Sequence, residues 1–561
     1  MSRSFLFRPF ALALLVTAAN ILKPVTVDDT AYLTYARQIA HHPFDPYGFT
    51  AFWWAEPEPA MHILIPPVVP YWLACGMQLF GESPALLKLW LLPFLYLLAW
   101  SLRSLLFRFA RGTEWFVFPL LMLSPAVLPT VNLMIDVPAF ALALTAIEVF
   151  IRSTRQRNLR QTVLAGVLAG LAMQTKYTAL IVPVVIAWYG LTHRLFVLTA
   201  VAIGISIALF AGWESLLVLQ YHETHFLYHA SQSAGAPPPG ASRVTAFFAD
   251  KSDLIPPLAG QLGCVAVGVG LLAASVLRFS RRWLAGVAVG WSICFVLVCL
   301  LPRRMTVMNA ELTATTAFWQ TSGGCWLAAI AGCGATLLFR MKKGLGIRFS
   351  ADSWFLVGWL AIELAASLVL SPFPAARRVI GITVVGGLVA ARAASRIQRA
   401  YPERKPPQWI LAVGIAAGVS VAAIDTLDAF PEKVCAERAA EITHDRPETT
   451  TVWFVGHWGF QYYCERAGMK SLVLGKSVLQ VGDFLVLPAY PDAGFFRPYA
   501  GFDVQTPPAP VAEEIAVVQW DDWLSAQTVP NFYGGTDPIA GRGYARLQVR
   551  VYRLRTDWIM R

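Results

Sequence analysis

The chain has 561 residues, of which 56% are hydrophobic and only 14% are charged, and its mean hydropathy is +0.54. A soluble protein needs about 25% charged residues to cover its surface. The composition therefore excludes a string of soluble domains, a disordered chain and a coiled coil, and it predicts that most of the chain faces lipid. The eight cysteines are scattered without a CxxC pair, so they do not indicate a zinc or redox site.

Apolar stretches of membrane-spanning length recur from the N-terminus to about residue 426. The expected fold class is an α-helical polytopic membrane protein of about thirteen spans, followed by a small C-terminal α/β domain. The spans are predicted near residues 5–23, 84–102, 114–130, 136–151, 162–175, 177–192, 194–219, 256–277, 283–301, 318–339, 352–371, 378–393 and 409–426. The proline-rich apolar stretch 62–80 is expected to lie along the outer interface without crossing.

Basic residues are concentrated in short loops at 103–111, 152–160, 278–282, 340–348 and 392–405, with almost no acidic residues beside them. The positive-inside rule places these loops in the cytoplasm. The N-terminus is then inside and the C-terminal domain outside, as in a bacterial inner membrane protein with a periplasmic domain. The net charge of +11 is explained by this topology, so no nucleic-acid partner is expected.

Two domains are predicted. Residues 1–427 form the transmembrane part with outer loops 24–83 and 220–255, and residues 428–561 form the soluble domain. In the latter, Thr450–Val455, Ser471–Leu474, Asp483–Leu487 and Leu547–Tyr552 have the composition of short strands, and 456–468 that of a helix. The cysteines of this domain, Cys435 and Cys464, either pair in an oxidising compartment or stay free.

Two carboxylate positions stand out at the predicted outer face. Asp28 and Asp29 directly follow the first span, and Asp136 lies at a turn between two spans. A carboxylate at a membrane surface can take a proton or hold a cation, and one so near hydrocarbon is usually functional. The alternative for both positions is a helix N-cap, before 30–40 and before Val137-Pro138.

Cations on the outer side run against the topological bias. Lys176 lies between two apolar stretches, and Arg377-Arg378 and Arg303-Arg304 are outer basic pairs. Such cations either bind an anionic ligand at the membrane surface or extend their charged ends to lipid headgroups.

Histidines collect in the outer loops as well. His222, His225 and His229 have spacings of three and four, which place them on one face if the segment is helical. Together with the carboxylates Glu56 and Glu58 they are candidate ligands of a divalent metal ion. The alternative is that they are surface histidines that bind nothing. Phe52, Trp53 and Trp54 are expected either to stack on a sugar or to anchor the chain at the interface.

Several motifs occur in a characteristic order. They are the span followed by Asp28-Asp29 and Tyr32, the stretch from Ser124-Pro125 to Asp136-Val137-Pro138, and the stretch from Gly166 to Lys176. This set resembles the GT-C glycosyltransferases, in particular the branch of protein O-mannosyltransferases and the lipid A aminoarabinose transferase. The resemblance covers roughly residues 5–230 by motif and the rest by span pattern.

In that family the donor is a polyprenyl monophosphate sugar, which the enzyme meets at the outer leaflet. The resemblance implies that Asp28 is the catalytic carboxylate with Asp29 beside it, and that Asp136 lines the same cavity. It implies that Lys176 contacts the donor phosphate, and Tyr32, Arg377 and Arg378 are expected to bind substrate. His229 matches a metal-binding histidine of the aminoarabinose branch, and Glu58 is expected as its carboxylate partner.

The function expected from these residues is inverting transfer of a sugar from a polyprenyl-phosphate donor to a hydroxyl acceptor, which is a glycan, a lipid or a protein. The alternative is a transporter or flippase of a lipid-linked or carbohydrate substrate. Transporters usually show repeated halves and charges at mid-membrane, whereas this chain shows no repeat and its polar groups gather at one face. A receptor-like scaffold would leave Asp28, Asp136 and Lys176 unexplained.

Overall fold

The computed structural model describes most of the chain. The described residues are 3–53, 56–233, 251–277, 279–300, 314–339, 350–371, 373–488, 506–520, 524, 526–529, 531–535, 537–541 and 547–560. Trp54, Arg278, Arg303, Arg304 and the basic stretch 340–348, which enter the sequence predictions, lie outside these ranges.

Helices dominate the described residues. They are Arg3–Asn20, Asp29–His41, Val68–Phe80, Pro84–Trp90, Leu92–Phe109, Glu114–Met122, Asp136–Gln156, Leu159–Met173, Ile181–His193, Phe196–Tyr221, His225–Ser233, Ile255–Val265, Val267–Val276, Arg281–Leu300, Ala314–Leu338, Ala351–Val369, Ile380–Ala400, Gln408–Ile442, Trp458–Arg466 and the single turn Asn531–Gly534. Short 3-10 turns span Ala60–His62, Tyr177–Leu180 and Ala376–Arg378.

Each predicted span contains a helix, but fewer of these helices are long and apolar enough to cross a membrane than expected. The described residues contain seven such helices, or eight if the pair Lys251–Val265 and Val267–Val276, bent by 84°, is one broken span. The segment predicted as a span at 114–130 is helical only over Glu114–Met122. This difference arises because hydropathy reports how apolar a stretch is but does not report where its helix breaks.

The stretch after the first helix forms a short layer of its own. Asp29–His41 packs against Val68–Phe80, and a hairpin pairs Thr50–Phe52 with Pro57–Pro59. At 1.5 Å per residue the 13-residue helix Val68–Phe80 is about 20 Å long. That is shorter than the roughly 30 Å of a bilayer core, but the helices Leu159–Met173 and Ile181–His193 in two predicted spans are similarly short, so the expectation that 62–80 does not cross stays a prediction.

The C-terminal region contains a mixed five-stranded sheet in the order Lys470–Ser471, Val452–Phe454, Phe484–Pro488, Leu547–Leu554, Ala512–Trp520. The first three strands are parallel and the last two join antiparallel. Two-residue strands at Val478–Leu479, Ala526–Gln527, Ala540–Gly541 and Trp558–Ile559 complete the region. Three of the four predicted strands and the predicted helix are confirmed. The fourth, predicted at Ser471–Leu474, lies at Lys470–Ser471 and shares only Ser471 with the prediction, and the edge strand Ala512–Trp520 was missed. Cys435 and Cys464 are both buried and free.

The C-terminal region is joined to the apolar helices by a buried polar network. The helix Gln408–Ile442 runs without interruption across the expected boundary at 427/428. Within it, Asp425 forms an ion pair with Lys23 and accepts hydrogen bonds from Thr528 and Tyr533, both at 2.8 Å. The hydroxyl of Tyr533 also accepts from Asn132 at 2.9 Å. Tyr533 therefore reaches from the C-terminal region to the ends of the apolar helices.

Candidate active site

Asp28 sits at a strained bend between the first helix and Asp29–His41. The preceding residue, Val27, has φ +48°, a left-handed conformation that is costly for a β-branched residue and that is found mostly at functional sites. Asp28 precedes the helix, but its side chain makes no capping hydrogen bond. Its carboxylate instead contacts Arg377 Nη1 at 2.7 Å. The side chain of Asp28 therefore does not act as an N-cap.

Asp136 and Lys176 meet the same arginine from two other elements. Asp136 begins the helix Asp136–Gln156 and its side chain is 3% exposed. One carboxylate oxygen forms an ion pair with Lys176 Nζ, and the other lies 3.4 Å from Arg377 Nη1. Lys176 is thus paired beneath the surface and does not reach out to headgroups. Arg377 bridges Asp28 and Asp136, which are far apart in sequence.

Arg378 completes the cluster of charges. Its Nη1 donates to Ser371 Oγ at 3.2 Å, and its guanidinium lies over the ring of Phe373 at 4.0 Å. The Nε atoms of Arg377 and Arg378 are buried and have no hydrogen-bond partner within the described part of the chain. Buried donors without an acceptor are costly, so these two atoms point to an anionic ligand. We call Asp28, Asp136, Lys176, Arg377 and Arg378 the charged cluster.

Burial and mutual charge set the pKa values of these cations. Burial lowers the pKa of Lys176 to about 8, against the opposing effect of Asp136. Burial, and then the neighbouring Arg377, lower the pKa of Arg378 to about 10. Burial also acts to lower the pKa of Arg377, but the carboxylates of Asp28 and Asp136 outweigh it and raise that pKa above its ordinary value. All three side chains are therefore predominantly cationic at neutral pH.

An apolar cavity of about 90 Å³ opens beside the cluster. Asp136, Lys176, Arg377 and Arg378 form its polar end, and its walls come mainly from the helices Asp136–Gln156, Ile181–His193 and Ala351–Val369. The wall residues include Ala139, Phe140, Leu144, Ile147, Val182, Trp359 and Ala366. The lining also includes the buried carboxyl group of Glu363 and the hydroxyl groups of Thr178, Ser367 and Ser371. A cavity with cations at one end and mainly apolar walls suits a molecule with an anionic head and an apolar tail.

Tyr32 and Asp29, at the start of the Asp29–His41 helix, have different charged neighbours. Tyr32 is buried; burial, with the charge of Asp28 adding to it, raises its pKa well above the ordinary value. Burial also raises the pKa of Asp29 to about 6, but Lys88 and Lys23 are the cations that oppose this shift. Tyr32 therefore lies beside the charged cluster. Asp29 lies instead near Lys23 and Lys88.

Sequence reasoning missed Tyr533, whose ring lies 5.8 Å from the Arg377 guanidinium, and the ion pair of Lys23 with Asp425. An acidic residue inside a predicted apolar span is a recognisable signal of a buried partner, so Asp425 could have been found. Tyr533 carries no such signal, because it lies more than 100 residues further along in an ordinary polar stretch.

The three histidines His222, His225 and His229 do not share one helix face, and His225 is held by two hydrogen bonds. His222 ends the preceding helix in a left-handed conformation (φ +60°), and His225 begins the next one, so the expectation of one face shared by His222, His225 and His229 is wrong. His225 Nε2 donates to the Ile63 carbonyl at 3.0 Å, which leaves Nδ1 to accept from Tyr177 at 2.5 Å. Burial lowers the pKa of His225 to about 3, so this imidazole is neutral.

His229 and Glu58 do not assemble a metal site within the described ranges. No group of three or more His, Cys, Asp or Glu side chains there is arranged to hold a metal ion. The ring of His229 packs edge-on against His225, with ring centroids 4.5 Å apart. Phe52, one of the expected sugar-stacking aromatics, stacks on His457 with centroids 5.4 Å apart.

No protein-family model and no curated protein matches the chain. Solved structures do. The oligosaccharyltransferase of Archaeoglobus fulgidus in the apo form superposes with a TM-score of 0.51 at 12% identity, over 84% of this chain and 65% of that one. ArnT from Cupriavidus metallidurans bound to undecaprenyl phosphate gives 0.43 at 15% identity, over 98% of both chains.

The first superposition shows a common fold, although the chain spans only 65% of the length of the archaeal protein. The predicted fold class, a GT-C-like polytopic helical protein with a small C-terminal α/β region, is confirmed. The chain therefore shares the fold of the archaeal oligosaccharyltransferase, which agrees with the resemblance that its motifs show to the GT-C glycosyltransferases.

Proposed function

We propose that the chain is a membrane glycosyltransferase that moves a sugar from a polyprenyl-phosphate donor to a hydroxyl acceptor at the outer face of the membrane, with inversion. The observation that carries the proposal is the charged cluster at the mouth of the apolar cavity. There, Arg377 contacts both carboxylates, while the Nε atoms of Arg377 and Arg378 have no acceptor among the described residues. The GT-C-like fold supports the same class of reaction.

The charge balance of the cluster fits such a donor. Its three cations exceed its two carboxylates by one positive charge. A sugar linked to a lipid through a phosphodiester carries one negative charge, and the polyprenyl phosphate that leaves carries up to two. A surplus of one positive charge therefore neutralises the bound donor and favours the growing charge of the departing phosphate.

The residues have distinct roles in the proposed reaction. The donor phosphate lies against Arg377, Arg378 and Lys176, and the first carbons of its lipid tail enter the apolar cavity. The phosphate then competes with Asp28 for Arg377 and frees that carboxylate to act as a base. Asp136, buried between Lys176 and Arg377, keeps both cations in place.

In the chemical step, the acceptor hydroxyl attacks the anomeric carbon from the face opposite the phosphate. The bond between the anomeric carbon and the phosphate oxygen breaks, and its electron pair leaves with the phosphate. The hydroxyl proton passes to Asp28. A single displacement inverts the anomeric configuration, and general-base help of this kind contributes roughly 10²–10⁴ in rate.

The division into a membrane part to residue 427 and an extracytoplasmic part from 428 belongs to the same proposal. Tyr533 contacts Lys23, Asp425 and Asn132, and its ring flanks Arg377. The C-terminal region then has a role in the site, because it holds Arg377 from the outer side.

Donor turnover in detergent tests the proposal against the transporter alternative. The purified full chain is incubated with a panel of radiolabelled polyprenyl-phosphate hexoses and pentoses and a membrane extract as acceptor source. A glycosyltransferase releases polyprenyl phosphate and moves the label to the extract. A transporter leaves every donor intact in detergent, because a micelle does not separate two compartments. In proteoliposomes it moves the label across the membrane. The second pattern would replace the enzyme with the transporter.

A further inference from the structure

A second polar cavity lies at the opposite end of the helices that form the candidate active site. The helix Asp136–Gln156 has 21 residues and is therefore about 31 Å long. Asp136 at its start borders the apolar cavity, whereas Arg152, Arg155 and Gln156 at its end line the second one. The helices Ala351–Val369 and Ile380–Ala400 also contribute to both. The charged end of the first cavity at Asp136 and the arginine Arg152 of the second are thus about 24 Å apart along this helix, whereas the walls of the two cavities meet at Ile147 and Glu148.

The second cavity measures about 1060 Å³ and is strongly basic. Seven arginines line it, including Arg108, Arg152, Arg155, Arg392 and Arg399, against the two carboxylates Glu148 and Asp352. The arginines come from three different helices and one loop. We call this space the arginine cavity, and its side chains carry a surplus of five positive charges.

The positive-inside bias accounts for arginines at these helix ends, but it does not require them to converge on one space. Arg392 is 10% exposed and is fixed by hydrogen bonds to Ser353 Oγ and the Phe109 carbonyl, both at 3.1 Å. Arg108 is 15% exposed and donates through Nη2 to Tyr189 at 2.8 Å. The side chains of Arg108 and Arg392 are therefore held in one conformation, which membrane orientation alone does not require.

The described part of the chain leaves donors of this cavity without acceptors. Arg108 Nε and Nη1 are buried and have no hydrogen-bond partner there. The nearest carboxylate, Asp352, is shared among Arg108 at 3.5 Å, Arg392 at 3.5 Å and His193 at 3.2 Å. One carboxylate does not satisfy two guanidiniums, so the cavity has capacity for a further anion. A planar guanidinium fork matches phosphate oxygens in particular.

We propose that the arginine cavity binds the phosphate of an anionic phospholipid headgroup, from the leaflet opposite the candidate active site. The phosphate oxygens accept from Arg108 and from the more exposed Arg155 and Arg399. The position at the helix ends, at headgroup depth, favours a lipid over a soluble phosphate, and basic pockets between helices on the cytoplasmic side are suited to such headgroups. This site is independent of the proposed function, because it holds a structural lipid and not the donor.

Lipid titration of the purified full chain followed by native mass spectrometry tests the proposal. The probes are phosphatidylglycerol and phosphatidylcholine, added to delipidated protein in detergent. The test variant is Arg155→Gln with Arg399→Gln. The matched control, Arg281→Gln with Arg282→Gln, removes the same charge from the same predicted face but outside the cavity. A charge-assisted hydrogen bond is worth about a tenfold change in affinity or more.

We expect wild type and the control pair to bind phosphatidylglycerol with equal affinity, and the test pair to bind it at least about tenfold more weakly. Equal loss in both pairs, or equal binding of the two lipids by wild type, overturns the proposal. If the test pair does not fold, competition on wild type decides: millimolar inorganic phosphate should displace phosphatidylglycerol, and failure to do so also overturns it. If the protein binds inorganic phosphate through these arginines but does not bind phosphatidylglycerol, the lipid proposal is overturned and the ligand is a soluble phosphate.

Discussion

Replacing Asp28 by asparagine separates a catalytic carboxylate from a structural one. The side chain makes no capping bond and contacts Arg377 Nη1 at 2.7 Å with 21% of its surface exposed. Asparagine keeps the shape and can still accept from Arg377. The change therefore weakens one charge-assisted hydrogen bond to a neutral one, which costs about 1 kcal/mol of folding free energy.

The expected loss of turnover is larger than that structural cost can produce. A 100-fold fall in kcat corresponds to about 2.7 kcal/mol in the barrier, and loss of the base is expected to cause at least that. A protein with the usual 5–15 kcal/mol of stability stays more than about 99% folded after losing 1 kcal/mol. Removing a carboxylate also raises the surplus charge of the cluster from one to two, so the KM for the donor should not increase.

The assay is release of polyprenyl phosphate from labelled donor, with a thermal melt of each variant. Asp45→Asn is the matched control. It makes the same change in the loop after the Asp29–His41 helix, where Asp45 accepts from Tyr221 at 2.6 Å. Normal kcat in a folded Asp28→Asn variant would refute the base assignment and move it to Asp136 or Asp29. A raised KM with normal kcat would make Asp28 a residue that positions Arg377.

Four further outcomes are expected. The pKa of Lys176 is lowered to about 8, so its charge is lost as the pH rises from about 7 to 9; the KM for the donor should rise over that window in wild type but stay flat in Lys176→Arg. At neutral pH, Lys176→Ala should raise the KM about tenfold with a smaller effect on kcat, whereas an unchanged KM would argue for a structural role only. Tyr533→Phe keeps the ring beside Arg377 but loses the hydrogen bonds with Asp425, Lys23 and Asn132; it should lower the free energy of unfolding by about 1–3 kcal/mol, seen as a lower Tm, while most turnover is kept. Tyr533→Ala should lower both the stability and the turnover. Reporters fused after residues 345 and 440 should read inside and outside, and the same side for both would contradict the topology.

The positions of the charged cluster could be predicted because each residue is an exception in its own stretch. Asp136 and Lys176 are charges at the ends of apolar segments, and Arg377-Arg378 is a basic pair on the predicted outer side, where basic residues are expected to be rare. The predicted membrane topology alone places all these residues at the same face of the membrane. The bridging role of Arg377 could not be predicted, because it depends on how the 3-10 turn Ala376–Arg378 places one guanidinium between two distant carboxylates.

Other features fail for identifiable reasons. The strand Ala512–Trp520 has only two buried residues and a polar start at Glu513 and Glu514, so its pattern lacks the apolar alternation of a half-buried strand. The histidine prediction assumed one continuous helix, which His222 breaks. The number of spans depends on bends such as the 84° break before Val267, and hydropathy does not detect a change in direction.

The proposed reaction requires above all that Lys176, Arg377 and Arg378 hold a lipid-linked phosphate, and equilibrium binding measures this directly. Purified wild type is titrated with polyprenyl phosphate and with the corresponding polyprenol, which has the same tail but no phosphate. Wild type should bind the phosphate at least about tenfold more tightly. Arg378→Gln should remove most of that preference, and Arg466→Gln, an arginine of the C-terminal region outside the cluster, should retain it. Equal affinity of wild type for the phosphate and the alcohol, or a preference that survives Arg378→Gln unchanged, would contradict phosphate recognition by the cluster.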